Sequence, residues 1–118
     1  MERIVITGIG LITPTGIGKD AFWESALKGV SGVREITSFD TSRLSSHKGA
    51  EIKGFNPSDF VSSANERKMD RLPQITVATA KLALEDAGLK DSEINSESQK
   101  ERIGVVIGTI YGGLKSTS

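Results

Sequence analysis

The sequence predicts an α/β fold with a mainly parallel sheet and one helix buried between its layers, and three observations carry that expectation. Ile4–Ile6 and Ile103–Ile107 are β-branched runs without polar alternation, the pattern of strands covered on both faces. From Ile75 to Leu84 only Lys81 is charged, so a helix there is apolar nearly all round and belongs between layers rather than on one. The order strand, helix, strand, helix, strand is that of an α/β domain.

Taken in order, the first strand opens into glycines and Pro14, and "GKDAFWESALKG" follows with Phe22, Trp23, Ala26 and Leu27 at helical spacing. Phe22 and Trp23 read as core anchors of that helix, and Gly29 suits its C-terminal stop. Val30 to Lys48 is polar and irregular, with a turn at "SFDTS". Gly49 to Lys53 forms a second short strand, stopped by Gly54 and the Asn56-Pro57 pair. Ser63 and Glu66 stand at capping-box spacing, which starts a short helix at Ala64. Asp70 caps the next helix, whose first turn tolerates Pro73, and Gly88 ends it. Lys90 to Arg102 is a charged, Ser-rich surface connection before the last strand.

Composition narrows the function. The chain has 118 residues, enough for one modest domain or part of a larger one. Fifteen basic residues balance fifteen acidic ones, which gives no broad attraction to nucleic acid or to an anionic membrane. There is no cysteine, which removes disulfides, thiol nucleophiles and cysteine metal ligands. The N-terminal apolar run is too short for a signal peptide core or a membrane span, so a cytoplasmic setting is expected.

The opening stretch "RIVITGIGLITPTG" raises a nucleotide-binding reading, which its spacing opposes. A dinucleotide fingerprint needs Gly-x-Gly-x-x-Gly at a strand end, with the helix starting at once so that its free amides meet the pyrophosphate. Gly8 and Gly10 fit, but Thr13 replaces the third glycine, and Pro14, Gly16 and Gly18 delay the helix to about Lys19. No acidic residue ends a second strand about twenty residues on, and no Walker Gly-Lys-Ser or Gly-Lys-Thr occurs. These glycines read instead as shaping a tight exit from the strand.

The ordered set "RIVITGIGLITPTG", "FWESALKGVSGV", "ITSFDTS", "ERKMDR", "ALEDAGL" and "RIGVVIGTIYGGL" resembles the start of a β-ketoacyl-acyl-carrier-protein synthase, of the type called 3-oxoacyl synthase II. It spans nearly the entire chain with matching spacing. The resemblance implies the N-terminal part of a thiolase-like layered fold, with residues 1–118 an incomplete N-terminal half of the synthase domain. It implies decarboxylative Claisen condensation in fatty acid or polyketide synthesis, with acyl carrier protein and acyl or malonyl thioesters as partners. A homodimer without metal or redox cofactor is implied as well.

The family's chemistry uses one cysteine and two histidines. This chain has no cysteine, and its one histidine, His47, precedes the second strand instead of sitting in a family catalytic motif. The resemblance therefore assigns no catalytic residue here and implies an N-terminal piece that is not competent alone. A catalytically silent synthase-like partner is the alternative, and a nucleotide-binding domain the more distant one.

Two positions carry site expectations. Arg67 and Lys68 match basic positions that in the family help dock the acidic carrier protein; read without it, they are a solvated helix face. Where related synthases often carry further basic residues upstream, this chain has Ser63 and Ala64. The resemblance also places Tyr111 where many synthases have a small or aliphatic residue lining the acyl pocket. There its ring shortens the tunnel and favours shorter or branched chains; otherwise it packs at a subunit contact or between layers. His47 reads as a surface loop residue, Asp70 as a helix cap, and the acidic residues from Glu85 to Glu101 as solvated.

Overall fold

A computed structural model describes residues 2–110. They divide into two compact units, Leu11–Asn56 and a second formed by the segment up to Gly10 together with the chain from Pro57 onward.

The Leu11–Asn56 unit begins with a tight hairpin. Strand β1 (Ile12–Thr13) pairs antiparallel with β2 (Gly16–Ile17), with Ile12 opposite Ile17 and Thr13 opposite Gly16. The Thr13 hydroxyl closes the turn, donating to the Gly16 carbonyl at 2.9 Å and accepting from the Gly16 amide at 3.1 Å. Helix α1 (Lys19–Leu27) follows, with Gly18 at its N-cap in a positive-φ conformation of 87°. It stops as a Schellman motif: the Gly29 amide bonds the Ala26 carbonyl and the Val30 amide the Ser25 carbonyl. Ser25 also donates to the Thr15 carbonyl at 2.7 Å, so the face carrying Ser25 and half-buried Phe22 turns toward the hairpin. Trp23 lies off that face and is 62% exposed, which corrects its reading as a core anchor.

A second hairpin pairs β3 (Val33–Glu35) with β4 (Lys48–Ala50), setting Val33 opposite Ala50 and Glu35 opposite Lys48. The expected strand thus starts one residue earlier than the sequence suggests and is shorter. Its long loop is held by Asp40, which accepts from the Ser42 amide and hydroxyl, and by Glu51. The Glu51 carboxylate accepts from the Thr37 amide and hydroxyl, each at 3.1 Å, and from the Ser38 amide at 2.9 Å. Hydrogen bonding from the Ser38 side chain, then from the Thr37 amide, pulls Glu51 from 4.5 down to about 2.

In the other unit a 3₁₀ turn (Pro57–Asp59) leads to helix α2 (Ser63–Glu66) and then α3 (Arg71–Asp86). Asp70 occupies the N-cap of α3 as expected, although no side-chain cap bond forms there. Gly88, with φ of 70°, ends α3 in a second Schellman motif, its amide on the Glu85 carbonyl and the Leu89 amide on the Leu84 carbonyl. The capping-box expectation is corrected. Ser62, not Ser63, is the N-cap of α2, and the Glu66 carboxylate instead accepts the Ser58 hydroxyl at 2.7 Å. The charged connection after α3 contains two single-turn helices, α4 (Asp91–Ile94) and α5 (Glu97–Lys100).

Helix α3 is covered on one side. Ala78 is 0% exposed, most of Ile75–Leu84 is half-buried, and Ala80 and Lys81 face solvent. Part of the cover comes from residues 8–10, the 3₁₀ turn packing on α3 as well. A Cβ on Gly8 would collide with the Ala83 carbonyl oxygen and come within 2.7 Å of the Ala87 nitrogen. One on Gly10 would meet the Thr79 carbonyl oxygen and lie 2.7 Å from the Ala83 nitrogen. Thr79, Ala83 and Ala87 recur every four residues, so they form one stripe of small side chains that admits the neighbouring backbone. Neither Gly8 nor Gly10 has positive φ. Their role is close approach to a helix, which corrects the reading of a tight exit turn. The Ile9 amide adds a bond to the Asp86 carboxylate at 2.9 Å.

The two β-branched runs do not form strands among the described residues. Ile4 and Val106 are each 98% exposed. A ladder requires the backbone of a neighbouring strand, and the described residues pair only as the two antiparallel hairpins. No parallel ladder forms among them. Among the described residues no helix is long and apolar enough to cross a membrane.

Gly10→Ala is expected to lower stability by roughly 1–3 kcal/mol through overpacking against α3. Denaturant unfolding of the protein carrying these residues reads this, and an unshifted midpoint would remove the close-approach role. A carboxyl NMR titration of Glu51 should give a midpoint of about 2. With the folded value below 4.5, the contribution of Glu51 to the loop is complete above that pH and is lost as pH falls toward about 2. A midpoint near 4.5 would mean that the Thr37 and Ser38 bonds are absent.

Candidate functional site

The basic pair is built on a four-residue turn between α2 and α3. Helix α2 is a single turn, too short to be stable by itself. It closes at Arg67, which is still helical, and the Met69 amide then bonds the Glu66 carbonyl at 3.2 Å. Arg67 and Lys68 open this turn, and both are exposed. Among the described residues neither side chain makes an ion pair or a hydrogen bond, so both charges face solvent.

Two tethers hold the turn. The Gln74 side chain, in the first turns of α3, donates to the Glu66 carbonyl at 3.2 Å and to the Met69 carbonyl at 3.1 Å. Ser58 donates to the Glu66 carboxylate at 2.7 Å and so occupies the acid that precedes the basic pair. Farther along α3, the Lys81 ammonium donates to the Phe60 carbonyl at 2.6 Å and so ties the segment after the 3₁₀ turn to the helix. The result is an exposed cationic loop on a fixed backbone. An arrangement of this kind can attract and orient an anionic partner.

Sequence reasoning found the basic pair and missed its supports. Ser58 and Glu66 are eight residues apart and meet only because the chain folds back at the 3₁₀ turn. Gln74 left a faint signal, an amide side chain one turn inside a helix preceded by a cap residue.

The remaining candidates are separate. Tyr111 lies outside the described residues. His47 is exposed on the β3–β4 loop, with Nδ1 3.1 Å from the Thr41 hydroxyl. No group of three or more His, Cys, Asp or Glu placed to hold a metal occurs among the described residues. A cavity of about 40 Å³ in the Leu11–Asn56 unit, lined by Arg34, Glu51 and Lys53 among others, has room for little more than a water. An open hollow of about 530 Å³ beside α4 is lined by Leu89, Glu93, Ile94, Ser96 and Ile103. The Gly8–Gly10 stretch does not lead directly into a helix N-terminus; α1 begins only at Lys19, which agrees with the spacing argument against a phosphate cradle.

Comparison with known proteins gives a consistent result. The family model for "Beta-ketoacyl synthase, N-terminal domain" matches residues 1–118. The chain is 42% identical over 115 residues to 3-oxoacyl-[acyl-carrier-protein] synthase 2 of Staphylococcus aureus (strain COL), covering 98% of this chain and 27% of that protein. It is 37% identical over 113 residues to the chloroplastic 3-oxoacyl-[acyl-carrier-protein] synthase I of Arabidopsis thaliana, covering 96% of this chain and 24% of that one. Among solved structures, the ishigamide ketosynthase/chain length factor superposes with a TM-score of 0.69 at 34% identity, over 75% of this chain and 22% of that chain. The chain spans about a quarter of the length of the curated relatives it matches. With the family match running from the first residue to the last and a ketosynthase as structural neighbour, this chain belongs to the β-ketoacyl synthase family and carries sequence of its N-terminal domain.

Proposed function

We propose that this chain is the N-terminal portion of a 3-oxoacyl-acyl-carrier-protein synthase and contributes the carrier-docking turn rather than the reacting groups. The observation that carries this reading is the end-to-end family match, joined to an exposed basic pair on a tethered turn. The names of the relatives supply the carrier protein as the partner class.

In the proposed reaction a cysteine thiolate takes the acyl group from its carrier, releasing the carrier thiol. The malonyl thioester then loses carbon dioxide, and the resulting carbanion attacks the acyl carbonyl. A carbon–carbon bond forms and the cysteine thiolate leaves. Two histidines stabilise the developing charge. These groups lie outside the present sequence, which has no cysteine. Within it, Arg67 and Lys68 meet the acidic face of the carrier and raise the rate of productive encounter. Tyr111 lines the acyl pocket, where its ring shortens the tunnel and favours shorter or branched chains. The complete protein is a cytoplasmic homodimer with the layered thiolase-like sheet, in which the exposed runs at Ile4–Ile6 and Ile103–Ile107 gain strand neighbours. The chemistry runs on thiolate and imidazole groups without a metal or redox cofactor.

The present 118 residues should form no covalent acyl adduct in a radiolabelled transfer assay. Stable acylation would defeat the reading. In the full-length synthase, the double reversal Arg67→Glu, Lys68→Glu should raise KM for the acyl-carrier substrate roughly tenfold at low salt, and less as salt screens the charges. An unchanged KM at low salt would argue against docking at this turn. Tyr111→Ala should shift the product distribution of the full-length enzyme toward longer acyl chains. Identical distributions would place the ring away from the pocket.

A further inference from the structure

From the bonding around the basic turn we infer that Gln74 is the positioning residue of the docking surface, an assignment that rests on the docking reading above. Helix α2 is four residues long, lacks a side-chain cap bond and cannot fix its own position. Helix α3, by contrast, has 16 residues and a fully buried Ala78. The Gln74 side chain joins the two. Its one amide nitrogen donates to the carbonyls of Glu66 and Met69, the residues that bracket Arg67 and Lys68.

Both ends of the basic turn are therefore referenced to the frame of α3. Long cationic side chains find an acidic partner from a distance by their charge alone, but a docked complex requires their backbone in one place. Without the Gln74 donors, the Met69 carbonyl loses this bond, while the Glu66 carbonyl keeps only the Met69 amide at 3.2 Å. The turn then moves relative to α3, and the two charges sample many directions.

Gln74 is uncharged, and this separates positioning from steering. Replacing it with another neutral side chain leaves the electrostatic field of the turn as it was, so the salt dependence of docking should persist while the docked complex becomes shorter-lived. Replacing Arg67 and Lys68 removes the salt dependence itself.

The test uses the full-length synthase with two acyl donors, the carrier-borne thioester and a carrier-free acyl-coenzyme A thioester. Gln74→Met keeps the volume and removes both donors; Gln74→Glu turns an acceptor toward two carbonyl oxygens. The ratio of KM for the carrier-borne donor to KM for the carrier-free donor should rise roughly threefold to tenfold in Gln74→Met and further in Gln74→Glu. The salt dependence of the carrier KM should remain close to that of the parent in Gln74→Met, which adds no charge; Gln74→Glu also sets a carboxylate beside the basic pair and should weaken it. If Arg67→Glu, Lys68→Glu raises the ratio and neither Gln74 variant does, positioning by Gln74 is wrong and docking at the turn stands. A rise of both Michaelis constants together, with the ratio fixed, makes Gln74 a fold residue only and overturns the assignment. If the charge reversal also leaves the ratio unmoved, the docking reading fails and the assignment fails with it.

Discussion

The backbone of residues 8–10 lies directly on helix α3, and the unit that carries the basic turn depends on that approach. Two glycines meet a stripe made by Thr79, Ala83 and Ala87, at distances where a single added carbon collides with helix carbonyl oxygens. The Ile9 amide, between them, bonds Asp86. This contact covers part of one side of a helix whose sequence is too apolar to stand in water. A helix so placed becomes a fixed frame, to which Lys81 ties the segment at Phe60 and Gln74 ties the turn at Glu66 and Met69.

The sequence made the helices legible because their ends are written locally. Gly29 and Gly88 supply the positive φ that a Schellman stop requires, and both helices end there. Asp70 and Pro73 marked the start of α3 for the same kind of local reason. Burial was less legible, since it depends on neighbours that no local pattern identifies. Ile4 and Val106 have the composition of buried strands and stand exposed, because a β-branched run specifies a strand only when another backbone lies alongside. Trp23 failed as a core anchor for a related reason: the face of α1 that packs is set by Phe22 and the Ser25–Thr15 bond.

The candidate site divides in the same way. Arg67 and Lys68 were visible through the "ERKMDR" motif, and the structure puts both charges in solvent on one short turn. What holds that turn was not visible, because the Ser58–Glu66 bond depends on the chain folding back at the 3₁₀ turn and the Gln74 bonds on how α3 follows α2. Gly8 and Gly10 offer the opposite lesson. Their spacing invited a nucleotide reading, and their position against Ala83 and Thr79 gives them a packing role. Placed in the β-ketoacyl synthase family, the chain supplies a frame and a charged surface, and it contains no cysteine.

The central claim is that an acidic carrier protein docks on the turn from Glu66 to Met69. Carbodiimide coupling of carrier protein to the full-length synthase, read by peptide mass spectrometry, tests it most directly, because the Lys68 ammonium can form an amide with a carrier carboxylate only when the two are in contact. The account predicts cross-linked peptides containing Lys68, lost when salt is raised. Cross-links confined to other lysines, such as Lys28 or Lys53, with none at Lys68, would contradict it.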